Sequence, residues 1–159
     1  MVQKKSVLRA VLILILISTL LIFLWPRSFL GSMDEEIKSV SVEIIENTLE
    51  HERTAYIFQI GDPEFDEIME VLERYSYHIS TGTIANRMKN TAHIEDNHVG
   101  YWLHIYMYTG PNRDGGLYAI SSGGTGELIF DHGVYRMGYW GNQTHLNFMS
   151  EICRAVGSD

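Results

Sequence analysis

Three groups of residues carry side chains fit for chemistry. The first is the alternating series His98, Trp102, His104, Tyr106 and Tyr108, which falls on one side of a strand of period two. Aromatic rings with polar tips in such a row can stack on a sugar or a peptide. The same residue types also serve simply as cross-strand packing partners. Trp102, His104, Tyr106 and Tyr108 are therefore the candidate ligand-binding set. The second group is the stretch His93-Ile94-Glu95-Asp96-Asn97-His98, from which His93, Asp96 and His98 join His132 as candidate metal ligands. Zinc needs three or four such groups converging at about 2 Å. No H-E-x-x-H spacing occurs, and His98 and His104 stand about 20 Å apart along a strand, so a metal site depends on tertiary folding.

The third group is nucleophilic: Ser121, Ser122, Ser150 and Cys153. None of the serines sits in a G-x-S-x-G elbow, and the apolar setting of Cys153 raises a thiol pKa. Gly123-Gly124-Thr125-Gly126 lacks the lysine and helix of a phosphate loop and reads as a hairpin turn. Glu127 and Asp131, four apart on one strand, are about 13 Å from each other, too far for paired acid–base work. No residue is assigned a catalytic role, and no cofactor is expected.

The elements that must position these residues are legible from periodicity. Val40, Val42 and Ile44 alternate with polar residues as a half-buried strand, and Ala55–Ile60 makes a second. Gly61-Asp62-Pro63-Glu64 starts a helix over 63–76, with Asp62 as cap, Pro63 in the first turn, and Phe65, Ile68, Met69, Leu72 and Tyr75 on one face. Ile79, Thr81, Thr83 and Ile84 favour a strand within 79–92. Val99–Tyr108 is the strongest strand, followed by strands at 117–121, 127–130 and 134–140. Asp131-His132-Gly133 suits a tight turn with Gly133 at positive φ. The last helix starts near Asn142 or Thr144, carries Leu146, Met149, Ile152 and Val156 as its stripe, and ends at Gly157. The order is β-β-α-β-β-β-β-β-α. Short turns force antiparallel pairing, so the fold class is α+β: one antiparallel sheet with two helices packed on one face.

Ahead of this domain, Lys4, Lys5 and Arg9 precede an apolar run from Ala10 to Trp25. Its sixteen residues span about 24 Å as a helix, and Val7 and Leu8 extend the run if Arg9 snorkels. The positive charges predict a cytoplasmic residues 1–9, a transmembrane signal-anchor at 10–25, a polar tether at 26–36, and an extracytoplasmic domain at 37–157. The competing reading is secretion after signal cleavage. No A-x-A-like site follows the run; the best candidate, after Ser32, has Leu30 three residues upstream.

The net charge is −8, and the chain beyond residue 27 is more acidic still, since four of the twelve basic residues precede residue 28. An acidic domain argues against nucleic acid as a partner and against docking onto anionic lipid or anionic wall polymers. Cys153 is the only cysteine, so no internal disulfide staples the fold, and it reads as a small buried hydrophobe.

The basic N-terminus, the short anchor and the pattern I.SVSVEII…AYIFQI.DPEFDEIMEVL over residues 37–72 resemble small membrane-anchored or secreted α+β proteins of Gram-positive bacteria. The resemblance implies a place in the cell envelope and carries over no functional residue. The expected function is a single-pass, outward-facing binding module. Its partners are the lipid bilayer through residues 10–25 and an envelope protein, glycan or peptide. The alternatives are a metal-assisted hydrolase using His93, Asp96, His98 and His132, and a structural subunit of an envelope complex.

Overall fold

The computed structural model describes residues 2–46, 52–84, 100–131 and 133–158. In chain order the elements are helix α1 (Val2–Leu24), β1 (Arg27–Ser28), β2 (Ser39–Glu46), β3 (Arg53–Gln59), helix α2 (Pro63–Arg74) and β4 (Ser76–Tyr77). They continue with β5 (Tyr101–Tyr108), β6 (Leu117–Ser122), β7 (Glu127–Phe130), β8 (Gly133–Arg136) and helix α3 (Gln143–Ala155). The stretch Val7–Leu24 of α1 is long and apolar enough to cross a membrane by length and composition, and none of it is buried against the rest of the chain.

Six strands form one antiparallel sheet in the order β3-β2-β5-β6-β7-β8. Alternation then decides what each face carries. Val40, Val42 and Ile44 of β2, Leu103, Ile105 and Met107 of β5, Ile120 of β6, and Leu128 and Phe130 of β7 point to one face. There they join Phe65, Ile68, Val71 and Leu72 of α2 and Phe148, Met149 and Ile152 of α3 in a single core. The fold is thus α+β, with one antiparallel six-stranded sheet. Arg74 ties the two helices together through Glu151 at 2.6 Å, and Tyr75 donates to the same carboxylate at 2.8 Å.

Several local expectations are corrected. Residues 79–84 are not a strand: 81–84 make a helical turn, and β4 is confined to Ser76–Tyr77. The Thr83 hydroxyl accepts from the Ser80 amide at 2.8 Å, a local bond that competes with extended backbone. The rest of that stretch, 85–92, lies outside the described residues. Asp62 does not cap α2 with its side chain; its carboxylate turns back to accept from the Gln59 amide at 2.7 Å. In the β7–β8 turn the positive φ falls on Asp131 (44°) rather than on Gly133. Gly133 is needed for room instead, since a Cβ there would stand 2.7 Å from the Tyr135 ring. The strand expected over 134–140 ends at Arg136, and residues 137–142 leave the sheet.

The largest departure concerns 26–36. Its first half is no tether: Arg27 and Ser28 pair with Tyr77 and Ser76, and Phe29 is fully buried. The Phe29 ring meets Tyr77 at 4.9 Å, Phe130 at 5.4 Å and Phe148 at 5.9 Å. The folded part therefore reaches back to Arg27, two residues after Trp25.

Candidate functional site

The sheet face turned away from α2 and α3 brings the candidate ligand-binding residues together. Trp102, His104, Tyr106 and Tyr108 alternate along β5 with the core residues Leu103, Ile105 and Met107, and all four are half-buried. Antiparallel register fixes their neighbours. Opposite them on β2 stand Ile45, Glu43, Ser41 and Ser39, and β6 contributes Ser121, Ala119 and Leu117 beside His104, Tyr106 and Tyr108. Ser39, Ser41 and Glu43 are themselves buried.

A polar row crosses four strands at the level of His104. Arg53 of β3 binds Glu43 of β2 at 2.5 Å, Glu43 lies opposite His104 of β5, and His104 Nδ1 shares a hydrogen with Ser121 Oγ of β6 at 2.8 Å. Arg53 is well exposed while the Glu43 side chain keeps only 8% of its surface. The pair leaves the carboxylate compensated, which a lone buried charge would not be. Burial holds the His104 imidazole below its ordinary pKa, and the nearby Glu43 charge offsets part of that push. The ring is therefore neutral at pH 7. Burial, and then Glu43, push the Tyr106 phenol up. The His104 and Tyr106 rings lie nearly parallel, 10° apart at 6.2 Å.

One end of this face is closed by the β5–β6 loop. Asn112 and Arg113 both take left-handed backbone (φ 54° and 66°), a conformation that costs free energy for residues other than glycine. Side-chain bonds hold them there. Asn112 Oδ1 accepts from Gln59 at 2.8 Å, and Arg113 donates from its guanidinium to Ser41 Oγ at 2.8 Å and from its amide to Ser39 Oγ at 3.3 Å. Ser39 and Ser41 are the register partners of Tyr108 and Tyr106, so Arg113 is held at that end of the row. A guanidinium has five donors, and one goes to Ser41.

Ser121 and Ser122 are adjacent and so point to opposite faces, and each meets a histidine. Ser122 Oγ bonds His145 Nε2 in the core, where His145 is fully buried. Burial, helped by Arg136, pushes the His145 pKa down to about 4. His145 Nδ1 has no hydrogen-bond partner among the described residues. On the other side of the molecule, a cleft of about 500 Å³ opens between the start of β5 and the end of α3, lined by Ile44, Glu46, Tyr101 and Cys153 among others. Burial raises the Cys153 thiol above its ordinary pKa, and the residue is half-buried against the core.

Of the proposed metal ligands, His93, Asp96, His98 and His132 all lie outside the described residues. Among the described residues no group of three or more His, Cys, Asp or Glu is placed to hold a metal. The anchor residues fall as follows: Ala10 lies within α1, and Trp25 stands just past its end, 66% exposed. Sequence reasoning missed Glu43, Arg53, Arg113 and Ser121 as neighbours of the aromatic row. The only signal was the polar half of the β2 alternation, which does not reveal which strand lies beside it.

Compared with protein-family models, with curated proteins and with solved structures, the chain matches none. The expected resemblance to Gram-positive envelope proteins thus has only the sequence behind it: the basic N-terminus, the short apolar run and the pattern of residues 37–72.

Proposed function

We propose that the chain is a single-pass, membrane-anchored binding module with its N-terminus in the cytoplasm and its domain outside. The ligand face is the sheet surface bearing Trp102, His104, Tyr106 and Tyr108, with Arg113 at its end. The observation that carries the reading is this face itself: four rings from one strand, half-buried and contiguous, on the side turned away from α2 and α3. Rings with polar tips offer stacking surface, and Arg113 offers donors to an acidic group. The ligand class is thus a carbohydrate or peptide carrying a carboxylate.

Two features support retention of the anchor. Apolar side chains from Val7 to Trp25 are largely exposed, a surface that water does not tolerate on a soluble monomer. Cleavage after Ser32 would remove Phe29 from the core. The test of the binding reading is a titration of the full-length chain in nanodiscs with soluble cell-wall glycan fragments and with acidic peptides, followed by NMR. Expected is binding by one of the two sets, weakened about tenfold by Tyr106→Ala and by Arg113→Gln, each removing one contact. Binding indifferent to both substitutions, or no binding in either arm, would end the proposal.

A second reading is favoured by one distance, the 2.8 Å between Ser121 and His104, with Glu43 next in the row: the groups of an acyl-transfer hydrolase. Two facts weigh against it. Glu43 is occupied by Arg53, and β6 is paired on both sides, so the amides around Ser121 serve the ladder rather than an oxyanion. Loss of an esterase activity in Ser121→Ala would reverse this ranking.

A further inference from the structure

The turn between β8 and α3 carries the feature that the binding face leaves unexplained. Trp140 is 91% exposed, more than any other large hydrophobic side chain among the described residues. One exposed ring is ordinary by itself, and it is its position that gives it meaning. The turn that presents it is firmly held. Gly138 and Gly141 reverse the backbone at positive φ (73° and 65°), and a Cβ on Gly138 would stand 2.8 Å from Thr144 Oγ1. Next to Trp140, the Tyr139 ring stacks on His78 at 4.8 Å and 12°. His78 in turn bonds the Gly138 carbonyl at 2.9 Å through Nε2.

The position of the turn decides what it faces. The Tyr139 hydroxyl donates to the Leu24 carbonyl at 2.6 Å, one of the carbonyls left free at the end of α1. The Tyr139 side chain therefore reaches the level where the apolar helix stops, and Trp140 follows it in the same turn. Between them opens a cleft of about 350 Å³, with Pro26 and Trp140 on its rim and Ser76, His78 and Thr144 as its polar lining. Arg27 sits at the helix end against Leu21, Ile22 and Trp25, and Arg136 donates to the Gly141 carbonyl at 3.0 Å. The acidic Asp34-Glu35-Glu36 is held away from this level. The Asp34 amide donates to the Tyr118 hydroxyl at 3.2 Å, near the Leu117 end of β6, whereas Arg136 ends β8 opposite Glu127, toward the Ser122 end. Aromatic rings flanked by cations at the end of an apolar helix suit the headgroup layer of a bilayer.

We propose that the turn Gly138–Gly141 is a second membrane contact, with Trp140 and Tyr139 entering the headgroup layer beside the end of α1 and seating the domain on the outer leaflet. The inference rests on α1 being a retained membrane anchor, and the test separates the two. Full-length chains keeping a single tryptophan are prepared, either Trp140 (with Trp25→Phe and Trp102→Phe) or Trp25 (with Trp102→Phe and Trp140→Phe). Both are reconstituted in vesicles of phosphatidylcholine and phosphatidylglycerol carrying bromine either high on the acyl chains or near the chain ends. Expected is blue-shifted Trp140 emission, shielded from aqueous iodide and quenched at least about twofold more by the shallow bromine, as for an interfacial indole. Trp25 quenched with Trp140 fully open to iodide keeps the anchor and overturns the second contact. Neither residue quenched overturns both. Shielding of Trp140 that appears only at high protein-to-lipid ratio assigns the turn to a second copy of the chain and also overturns the proposal.

Discussion

His145 sits at the centre of the core with Nε2 bonded to Ser122 and Nδ1 unpaired among the described residues, so its charged form has no place in the folded chain. Its pKa near 4 against about 6.5 when unfolded sets the sign of a pH dependence. Above pH 6.5 both states are neutral and the stability is intact. Between pH 6.5 and about 4 only the unfolded chain takes up the proton, so stability falls with falling pH, by about 3 kcal/mol in all. Urea denaturation of the full chain in detergent from pH 7 to 4 should show this slope. The double variant His145→Leu with Ser122→Ala, which removes both polar partners, should lose that part of it; equal slopes in the two proteins would contradict the assignment. At this scale the sequence was only half legible. His145 and Leu146 both fit the spacing of an α3 stripe, and hydrophobicity alone favours Leu146. The structure buries His145 and leaves Leu146 at the margin because the Ser122 hydroxyl, 23 positions away, is waiting inside.

Among the elements, those with local causes were readable and those with distant causes were not. Pro63, the acidic first turn and the apolar spacing announce α2 without reference to anything else, and the β5 alternation announces which residues go inward. By contrast β2, expected to be half-buried, is buried on both faces from Ser39 to Ile44. The register that sets Glu43 beside His104, and His104 beside Ser121, is a property of three strands far apart in the chain. Phe29 was hidden for the same reason: it lies in a short polar stretch, and its partners Tyr77, Phe130 and Phe148 come from three remote elements. Truncating a fully buried phenylalanine leaves a cavity, so Phe29→Ala is expected to cost ~3–5 kcal/mol. A drop in Tm of several degrees, measured on the full chain in detergent, is the expected result. An unchanged Tm would mean that residues 27–32 do not belong to the domain in solution.

For the molecule as a whole, the proposed topology makes a prediction independent of any ligand. In a Cys153→Ser background, Ser158→Cys places a single thiol near the C-terminus, beyond α3. An impermeant maleimide should label it on intact cells; labelling only after permeabilisation would reverse the orientation. At this scale the sequence already shows the apolar N-terminal helix, because such a run needs no tertiary partner to be recognised. How the domain sits on its anchor was not readable, since that depends on Phe29 and Tyr139 meeting elements at the other end of the chain.

Docking of Ser28 and Phe29 also removes most of the leash. A free segment of eleven residues, 26–36, would let the domain wander about 18 Å from the end of the helix. With Arg27 already in a strand and Phe29 in the core, only Trp25 and Pro26 remain between α1 and the folded domain. In a bilayer such a domain searches by lateral diffusion and not by swinging outward. Under the proposed anchoring, a ligand of the β5 face would be met in the membrane-proximal layer, and a pull on it would pass straight into α1.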